Sequence, residues 1–520
     1  MNGQNGIDTL GPWFDGVELL SQKEPAAIDV EAAKRKEIGI VGAGMSGLMS
    51  FLILHQAGFT NVSILEAGQR LGGRVHTAYL SGGPFDYSYQ EMGPMRFPYT
   101  YLSPLDNKTY PINDHRLVFS LAEEMNKING NNKNFSVDFI PWVADNPNGL
   151  HYFAGYKLPS GLPPTVQQIA DYNKEHAAAS GGDGGGATVA MDSMTQLNKA
   201  LGASARPNIS AEIATNMFKA HRQYIDSGLA GMPGDHWSEF GFLVQYLNGS
   251  LEDASQLTDI ASASFWDRLY GSVYGSAASL KTIDGGLSRL PFSFYPLVGN
   301  VTSWNRNVER VQFDAKTNKV QLQWREKRVI SKLETSSFDY TLISAPFSVV
   351  KRWRLPLGFP AKITDAINKM PYTSACKVAL EYSERFWEKY ENPIFGGCST
   401  STDIPGMGTI CYPSYNLNSS GPASVLASYV QEDLGERWAS LSEEEHVQYV
   451  LDAMTEIHGE KTRDLYTGRF NRRCWILDPL ESASWAAPEA GQHQLYIPEY
   501  FKTYSNVSYL FPFLTIQSVV

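Results

Sequence analysis

Glu37-Ile38-Gly39-Ile40-Val41-Gly42-Ala43-Gly44-Met45-Ser46-Gly47 is the stretch that decides how this chain is read. A short apolar run ends in a glycine-rich turn, and an apolar segment of helical character, Leu48 to Gln56, follows. Strand, phosphate-cradling turn and helix have this appearance in sequence. Gly42 would permit the tight turn, Gly44 would let backbone approach a pyrophosphate, and Gly47 would let the helix pack on the strand. The free N–H groups and positive dipole end at the helix start then face the phosphates. Asn61 to Leu65 reads as a second strand that delivers Glu66, nineteen positions past Gly47, where an acid usually takes the ribose hydroxyls. The other reading of Glu66 is a solvated carboxylate at a strand end. The complete order of strand, turn, helix, strand and acid favours a dinucleotide.

The next residues choose the dinucleotide. Arg70-Leu71-Gly72-Gly73-Arg74 is a second close-approach turn with a guanidinium beside it, able to reach the same pyrophosphate. It resembles the R-x-G-G-R signature of the flavin amine oxidase family, which favours FAD over NAD. Gly93-Pro94-Met95-Arg96 resembles the G-P-M-R segment of the L-amino-acid oxidases of venom and fungal type within that family. There the arginine binds the substrate carboxylate, which implies that role for Arg96; a planar guanidinium grips a carboxylate through two parallel hydrogen bonds. The alternative for Arg96 is a structural ion pair.

The same resemblance implies cofactor contacts at Met45, Ser46, Ala67, Gly73, Arg74, Gly93, Pro94, Met95, Arg96 and Val308, with the backbone of Val308 meeting the adenine. It implies that Lys377, set in the apolar strand candidate Ser374 to Leu380, holds a water near flavin N5, that Tyr429 lines the substrate site, and that Trp475 stacks on the flavin. Each has a plainer reading: a lysine with a buried stem and a solvated head, and aromatics that are simply core. The role of Trp485 stays open.

The bulk properties are those of an ordinary folded protein. The 520 residues suffice for two or three domains, and 43% are hydrophobic against 19% charged. A net charge of −11 argues against nucleic acid or an anionic membrane as partner. Cys376, Cys398, Cys411 and Cys474 form no C-x-x-C pair and no metal-ligand spacing with histidine. No metal site is expected, and free core thiols, suited to a reducing compartment, are the default. Met1 to Val30 lacks the pattern of a secretory signal, Tyr509 to Val520 is too short to span a bilayer, and Gln517 to Val520 matches no peroxisomal address. The expectation is an intracellular, cytoplasmic enzyme.

The expected architecture combines α/β and α+β parts: a Rossmann-like FAD-binding domain, a mixed-sheet substrate domain and a helical insertion. Residues 1–36 read as an extended arm, 37–105 as the first part of the FAD domain and 106–284 as a helical, substrate-side region. Residues 285–350 read as the second part of the FAD domain, 351–475 as a substrate-binding sheet and 476–520 as a shortened remainder of the FAD domain. Helical spacing marks His115 to Lys127, Ile213 to Ile225 and Phe240 to Leu247, and Ala177 to Gly186 reads as a low-complexity linker. Strands are expected over Asn307 to Phe313, Val320 to Glu326, and from Phe338 toward Pro346.

Beyond about Asn506 the resemblance breaks off. No acidic F-x-G-E segment and no closing helix follow, which suggests a truncated or altered end. The activity implied is oxidation of an L-amino acid by dioxygen to a 2-oxo acid, ammonia and hydrogen peroxide, with a homodimer as the family's habit. A related amine or polyamine oxidase, an amino-acid monooxygenase, or an inactive flavoprotein-like chain are the rivals, with a plain NAD dehydrogenase last.

Overall fold

The computed structural model describes residues 29–177, 209–229, 231–258, 260–327 and 330–509. Ile38–Val41 forms strand β1, Met45–Gln56 helix α1 and Val62–Leu65 strand β2. β1 and β2 pair in parallel, Ile38 opposite Val62 and Val41 opposite Leu65. Tyr340–Ile343 flanks β1 on its other side, also in parallel, and Val507–Tyr509 follows it. Thr302–Ser303 extends the sheet beyond β2, and Thr503–Tyr504 adds an antiparallel edge. Every residue of β1 is buried. A central parallel strand covered on both faces needs a continuous apolar run rather than an alternating one, which is why Ile38 to Val41 reads as it does.

Gly42 leaves β1 with φ +101°, a conformation that L side chains rarely adopt. A Cβ on Gly47 would overlap the Gly42 carbonyl oxygen, so α1 reaches its close seat over the turn only without a side chain there. Once seated, α1 buries Leu48, Phe51 and Leu52 in a core with Ile40, Ile64 and, from helix Arg116–Ile128, Val118, Leu121 and Met125. Each such burial contributes about 1.5–3 kcal/mol.

A second six-stranded sheet runs Tyr466–Cys474, Ala375–Tyr382, Ala423–Gln431, Thr409–Tyr412, Gly397–Thr402 and His151–Tyr152. Its strands Ala375–Tyr382 and Ala423–Gln431 are buried along nearly their whole length. Helix Glu443–His458 packs Val447, Val450, Leu451 and Met454 against one face. Against the other lies the hairpin Thr77–Ser81 and Ser88–Glu91, where Ala78 and Met92 meet Ala379. That hairpin leads into Gly93 to Arg96 and then into strand Phe97–Leu102. This strand lies in a four-stranded antiparallel sheet with Thr109–Pro111, Ala277–Ile283 and Phe139–Trp142. Helices Ile209–Ser227 and Phe265–Gly275 form a separate apolar cluster through Ile213, Tyr224, Trp266 and Leu269.

Several expectations change. Within the arm, Val30–Lys34 is a short helix whose N-terminus is capped by Asp29, with Ala32 N donating to its Oδ1 at 3.0 Å; residues 1–28 lie outside the described residues. The linker at Ala177 to Gly186 lies outside them too, except that Ala177 ends the helix Val166–Ala177, and so do residues 510–520. The thiols are not free. Cys376 is bonded to Cys474, and Cys398 to Cys411. Sequence spacing conceals both pairs because sheet register makes them: Cys376 stands directly opposite Cys474 on neighbouring antiparallel strands. Past Asn506 the chain still supplies a strand, Val507–Tyr509, which buries Val507 and Tyr509 beside Ile343. Among the described residues, no helix is long and apolar enough to cross a membrane.

Candidate active site

A cavity of about 960 Å³ opens above the C-terminal ends of β1 and β2. Ligands of open α/β sheets bind outside these carboxyl ends, at helix N-termini. Gly42, Gly44, Met45, Ser46, Glu66, Ala67, Gly73, Arg74, Pro94 and Val308 all line it. Gly44 is the N-cap of α1 and has no heavy atom within 4 Å of the place a Cβ would take. The wall is therefore bare backbone at the point where a phosphate group needs closest approach. The second glycine turn lies against the first: Gly72 N donates to the Ala43 carbonyl at 2.9 Å, and Gly72 bridges Gly44.

Glu66 holds the cradle together. Its carboxylate accepts from Ala43 N at 2.7 Å and from Gly68 N at 2.6 Å, so the first turn and the backbone just past β2 are tied to the end of that strand. Burial pushes its pKa up, against these backbone donors and Arg70. Arg70 folds back onto the same turn, donating to the carbonyls of Gly73 and of Val75. Arg74 is buried, donates to the Ser484 carbonyl at 2.8 Å and pairs with Glu481 at 3.5 Å. The donors and the open space suit an anionic dinucleotide: the two glycine turns and the start of α1 would hold the pyrophosphate, Glu66 the ribose, and Val308 would border the adenine end.

A second constellation sits behind Pro94. Gly47, Gly93, Met95, Arg96, Lys377, Tyr429 and Trp475 do not line the large cavity. A side chain at Gly93 would overlap the Arg74 carbonyl oxygen, so the two motifs touch there. Three consecutive carbonyls of this segment are then taken by one side chain of the second sheet and one from the turn just past its edge strand. Lys377 Nζ donates to Glu91 O at 3.2 Å and Gly93 O at 2.6 Å, and Trp475 Nε1 donates to Met92 O at 2.8 Å. Burial pulls the Lys377 pKa down to about 7, with Glu91 opposing and Arg96 adding to the shift. Its ammonium lies 4.5 Å from the ring centre of Tyr429, the residue directly opposite it in the sheet. Trp475 is 3% exposed.

Arg96 stands beside this cluster with its guanidinium 4.6 Å from the ring centre of Trp142. Among the described residues, no hydrogen bond or ion pair reaches that guanidinium. Burial pulls its pKa down, with Tyr429 and Asp145 opposing. The Tyr429 hydroxyl is likewise buried without a hydrogen-bond partner. Met95, Leu426, Trp142, Trp485 and the Cys398–Cys411 bridge pack around Tyr429. A cation and a hydroxyl, both unsatisfied among apolar side chains within the described residues, would suit a small anion.

The sequence reading missed Glu91, Trp142 and Glu481. Glu91 is a buried carboxyl that accepts from Leu287 N at 2.7 Å and from Thr77 Oγ1 at 3.0 Å. It is adjacent to the recognised segment, but its strand reads Ser-Tyr-Gln-Glu, so polarity does not set the acid apart. Trp142 and Glu481 carry no motif; only the fold brings them in.

Comparison with known proteins agrees with this geometry. The profile of the flavin containing amine oxidoreductases matches residues 45–509. An L-amino-acid oxidase of Neurospora crassa is 58% identical over 520 aligned positions, spanning 98% of this chain and 73% of that protein. An L-amino-acid oxidase of the viper Echis ocellatus is 25% identical over 83% of this chain and 74% of its own. Among solved structures, cyclohexylamine oxidase of Brevibacterium oxydans shares the fold with a TM-score of 0.56 at 14% identity, over 91% of this chain and 92% of the other. A putrescine oxidase variant does so with a TM-score of 0.55 at 15% identity, over 93% and 95%. This chain, an FAD-dependent oxidoreductase, belongs to the flavin-containing amine oxidoreductases.

Proposed function

We propose that the chain converts an L-amino acid, dioxygen and water to a 2-oxo acid, ammonia and hydrogen peroxide. The observation that carries this reading is Arg96: a guanidinium among apolar side chains that, among the described residues, no hydrogen bond or ion pair satisfies, Asp145 acting on it only from beyond ion-pair distance, is a receptor for the carboxylate of a substrate. An amine without a carboxylate would leave that cation unpaired, at a cost of several kcal/mol for a buried charge. The relative from Neurospora crassa, by its name, supports the same reaction. FAD, when bound, supplies the two-electron chemistry and its return to dioxygen.

The chain's own residues bind and orient. Arg96 grips the carboxylate in a bidentate pair, Trp142 backs the guanidinium, and the Tyr429 hydroxyl donates to a carboxylate oxygen. Lys377 and Trp475 hold the carbonyls of Glu91, Met92 and Gly93, which fixes Arg96 relative to the Gly73–Arg74 turn. The substrate reacts with its amine unprotonated, so turnover should rise toward alkaline pH; a profile that falls steadily above neutrality would count against this. The resemblance adds a homodimer to the proposal, and the reading of the sequence an intracellular, cytoplasmic location, to be checked by light scattering and cell fractionation. The two disulfides weigh against the second, since cytosolic thiols stay reduced.

The test is the visible spectrum of the purified protein under anaerobic conditions. Flavin bands that bleach with L- but not D-amino acids are expected. Bleaching by simple amines and not by amino acids would overturn the proposal.

A further inference from the structure

Four carboxyl groups stand on the wall of a cavity that takes a doubly anionic pyrophosphate: Glu66, Glu309, Asp478 and Glu481. Three of them are satisfied. Glu66 accepts its two backbone N–H groups, Glu309 accepts from Arg325 Nε at 3.1 Å, and Asp478 accepts from Arg473 Nη1 at 2.9 Å and from Leu480 N at 2.8 Å. Glu481 is placed differently. Among the described residues its one ion pair is the 3.5 Å contact with Arg74 Nε, and no hydrogen bond reaches its carboxyl. Its Oε1 lies 3.2 Å from the position of a Cβ on Gly73, a point that is itself 3.4 Å from Gly44 Cα. The carboxyl therefore sits where the two glycine turns meet, and an ionised carboxylate there would face the phosphates.

We propose that Glu481 is the proton site linked to cofactor binding: the pyrophosphate of FAD seats between the two glycine turns with the Glu481 carboxyl protonated, so FAD affinity falls as pH rises. The surroundings already lean that way. Burial pushes the Glu481 pKa up to about 7, Asp478 and Glu66 add to the rise, and Arg74 and Arg70 oppose it. From the short strand Tyr372–Thr373, Tyr372 faces it, and the Glu481 backbone carbonyl accepts from Ser348 Oγ at 2.6 Å. Two phosphate charges arriving beside it favour the neutral form further. Arg74 then loses a charged partner and gains a phosphate, so its guanidinium stays paired throughout.

The sign follows from linkage. Below pH about 7 the carboxyl already holds its proton, binding takes up none, and Kd is flat. Above that, each complex must take up a proton, and Kd rises by up to about tenfold per pH unit.

The experiment strips flavin from the purified holoenzyme and titrates it back with FAD between pH 5.5 and 9, reading the quenching of flavin fluorescence. Wild type should show a flat Kd that climbs above neutrality, and Glu481→Gln, which keeps the shape and an acceptor for Arg74, should lose the climb. Calorimetry of the unmodified protein in buffers of different ionisation enthalpy guards against a variant that fails to fold. It should show up to one proton taken up per FAD at pH 8. The proposal falls if wild-type Kd is flat across the range, if Glu481→Gln keeps the full slope, or if no proton uptake is measured. A protein that binds no FAD at any pH would overturn the cofactor assignment together with this proposal, whereas pH-independent binding overturns this proposal alone.

Discussion

The two halves of the site are built in opposite ways. The cofactor cradle is made by backbone from short contiguous runs, residues 42–47, 66–68 and 72–74, around β1, α1 and β2. The proposed substrate site is made by side chains from separate strands: Arg96 before Phe97–Leu102, Trp142 closing Phe139–Trp142, Lys377 and Tyr429 facing each other in the second sheet. A backbone site tolerates almost no change in chain path but is indifferent to many side chains. A side-chain site is the reverse. Substitutions in the two halves should therefore fail in distinguishable ways.

The largest effect is expected at Gly47. Gly47→Val places branched carbon where even a Cβ overlaps the Gly42 carbonyl oxygen, and the product should purify without flavin colour or fail to fold. Yellow, stable protein would break the backbone half of the comparison. Arg96→Ala comes next. It should keep the flavin spectrum while kcat/KM for L-amino acids falls about 10²–10⁴-fold, the value of two charge-assisted hydrogen bonds at about 1.5–3 kcal/mol each. Loss of flavin instead would show that the two halves are not separable at this position.

A third test concerns Glu91, which joins the halves. Burial pushes its carboxyl from 4.5 up to about 7, so over that window the folded chain holds a proton that the unfolded chain has released. Stability then falls as pH rises from about 4.5 to 7, by up to roughly 3 kcal/mol, and Glu91→Gln should remove the fall. Lys377, pulled down to about 7, acts in the opposite sense above neutrality. Thermal melts of both proteins across pH 4 to 9 would decide; parallel curves would sink the assignment. The smallest effect is expected from Trp142→Leu. Removing the aromatic face under Arg96 should raise KM about 3- to 30-fold, for a cation–π contribution of about 0.5–2 kcal/mol, with kcat little changed. An unaltered KM would leave Trp142 as plain core.

Sequence shows the first half better than the second for the same reason. Gly42, Gly44, Gly47, Glu66 and the Gly72–Gly73 pair lie within one supersecondary unit, and their spacing is itself the physical requirement. Arg96, Lys377, Tyr429 and Trp475 are separated by long stretches of chain and meet only through register, as with Lys377 opposite Tyr429 and Cys376 opposite Cys474. Resemblance to a family could point at them; periodicity could not. Trp142, Glu481 and both disulfides left no trace, because a tryptophan at a strand end, an acid in a loop and a lone cysteine look ordinary until the sheets are assembled. The reading of Phe240 to Leu247 as one helix also missed that the chain breaks there into a short turn of helix and a wider coil.

The hold of Lys377 and Trp475 on three successive carbonyls has a consequence for substrate breadth. Gly93, pressed on the Arg74 carbonyl, and Arg96, three residues later, belong to one clamped segment, so the distance from phosphate cradle to carboxylate receptor behaves as a fixed gauge. With Arg96 as the proposed carboxylate receptor, every amino-acid substrate would be measured from the carboxylate end, which all amino acids share, and the variable side chain would extend away from the gauge. Such a site would accept many side chains without relocating the bond to be broken.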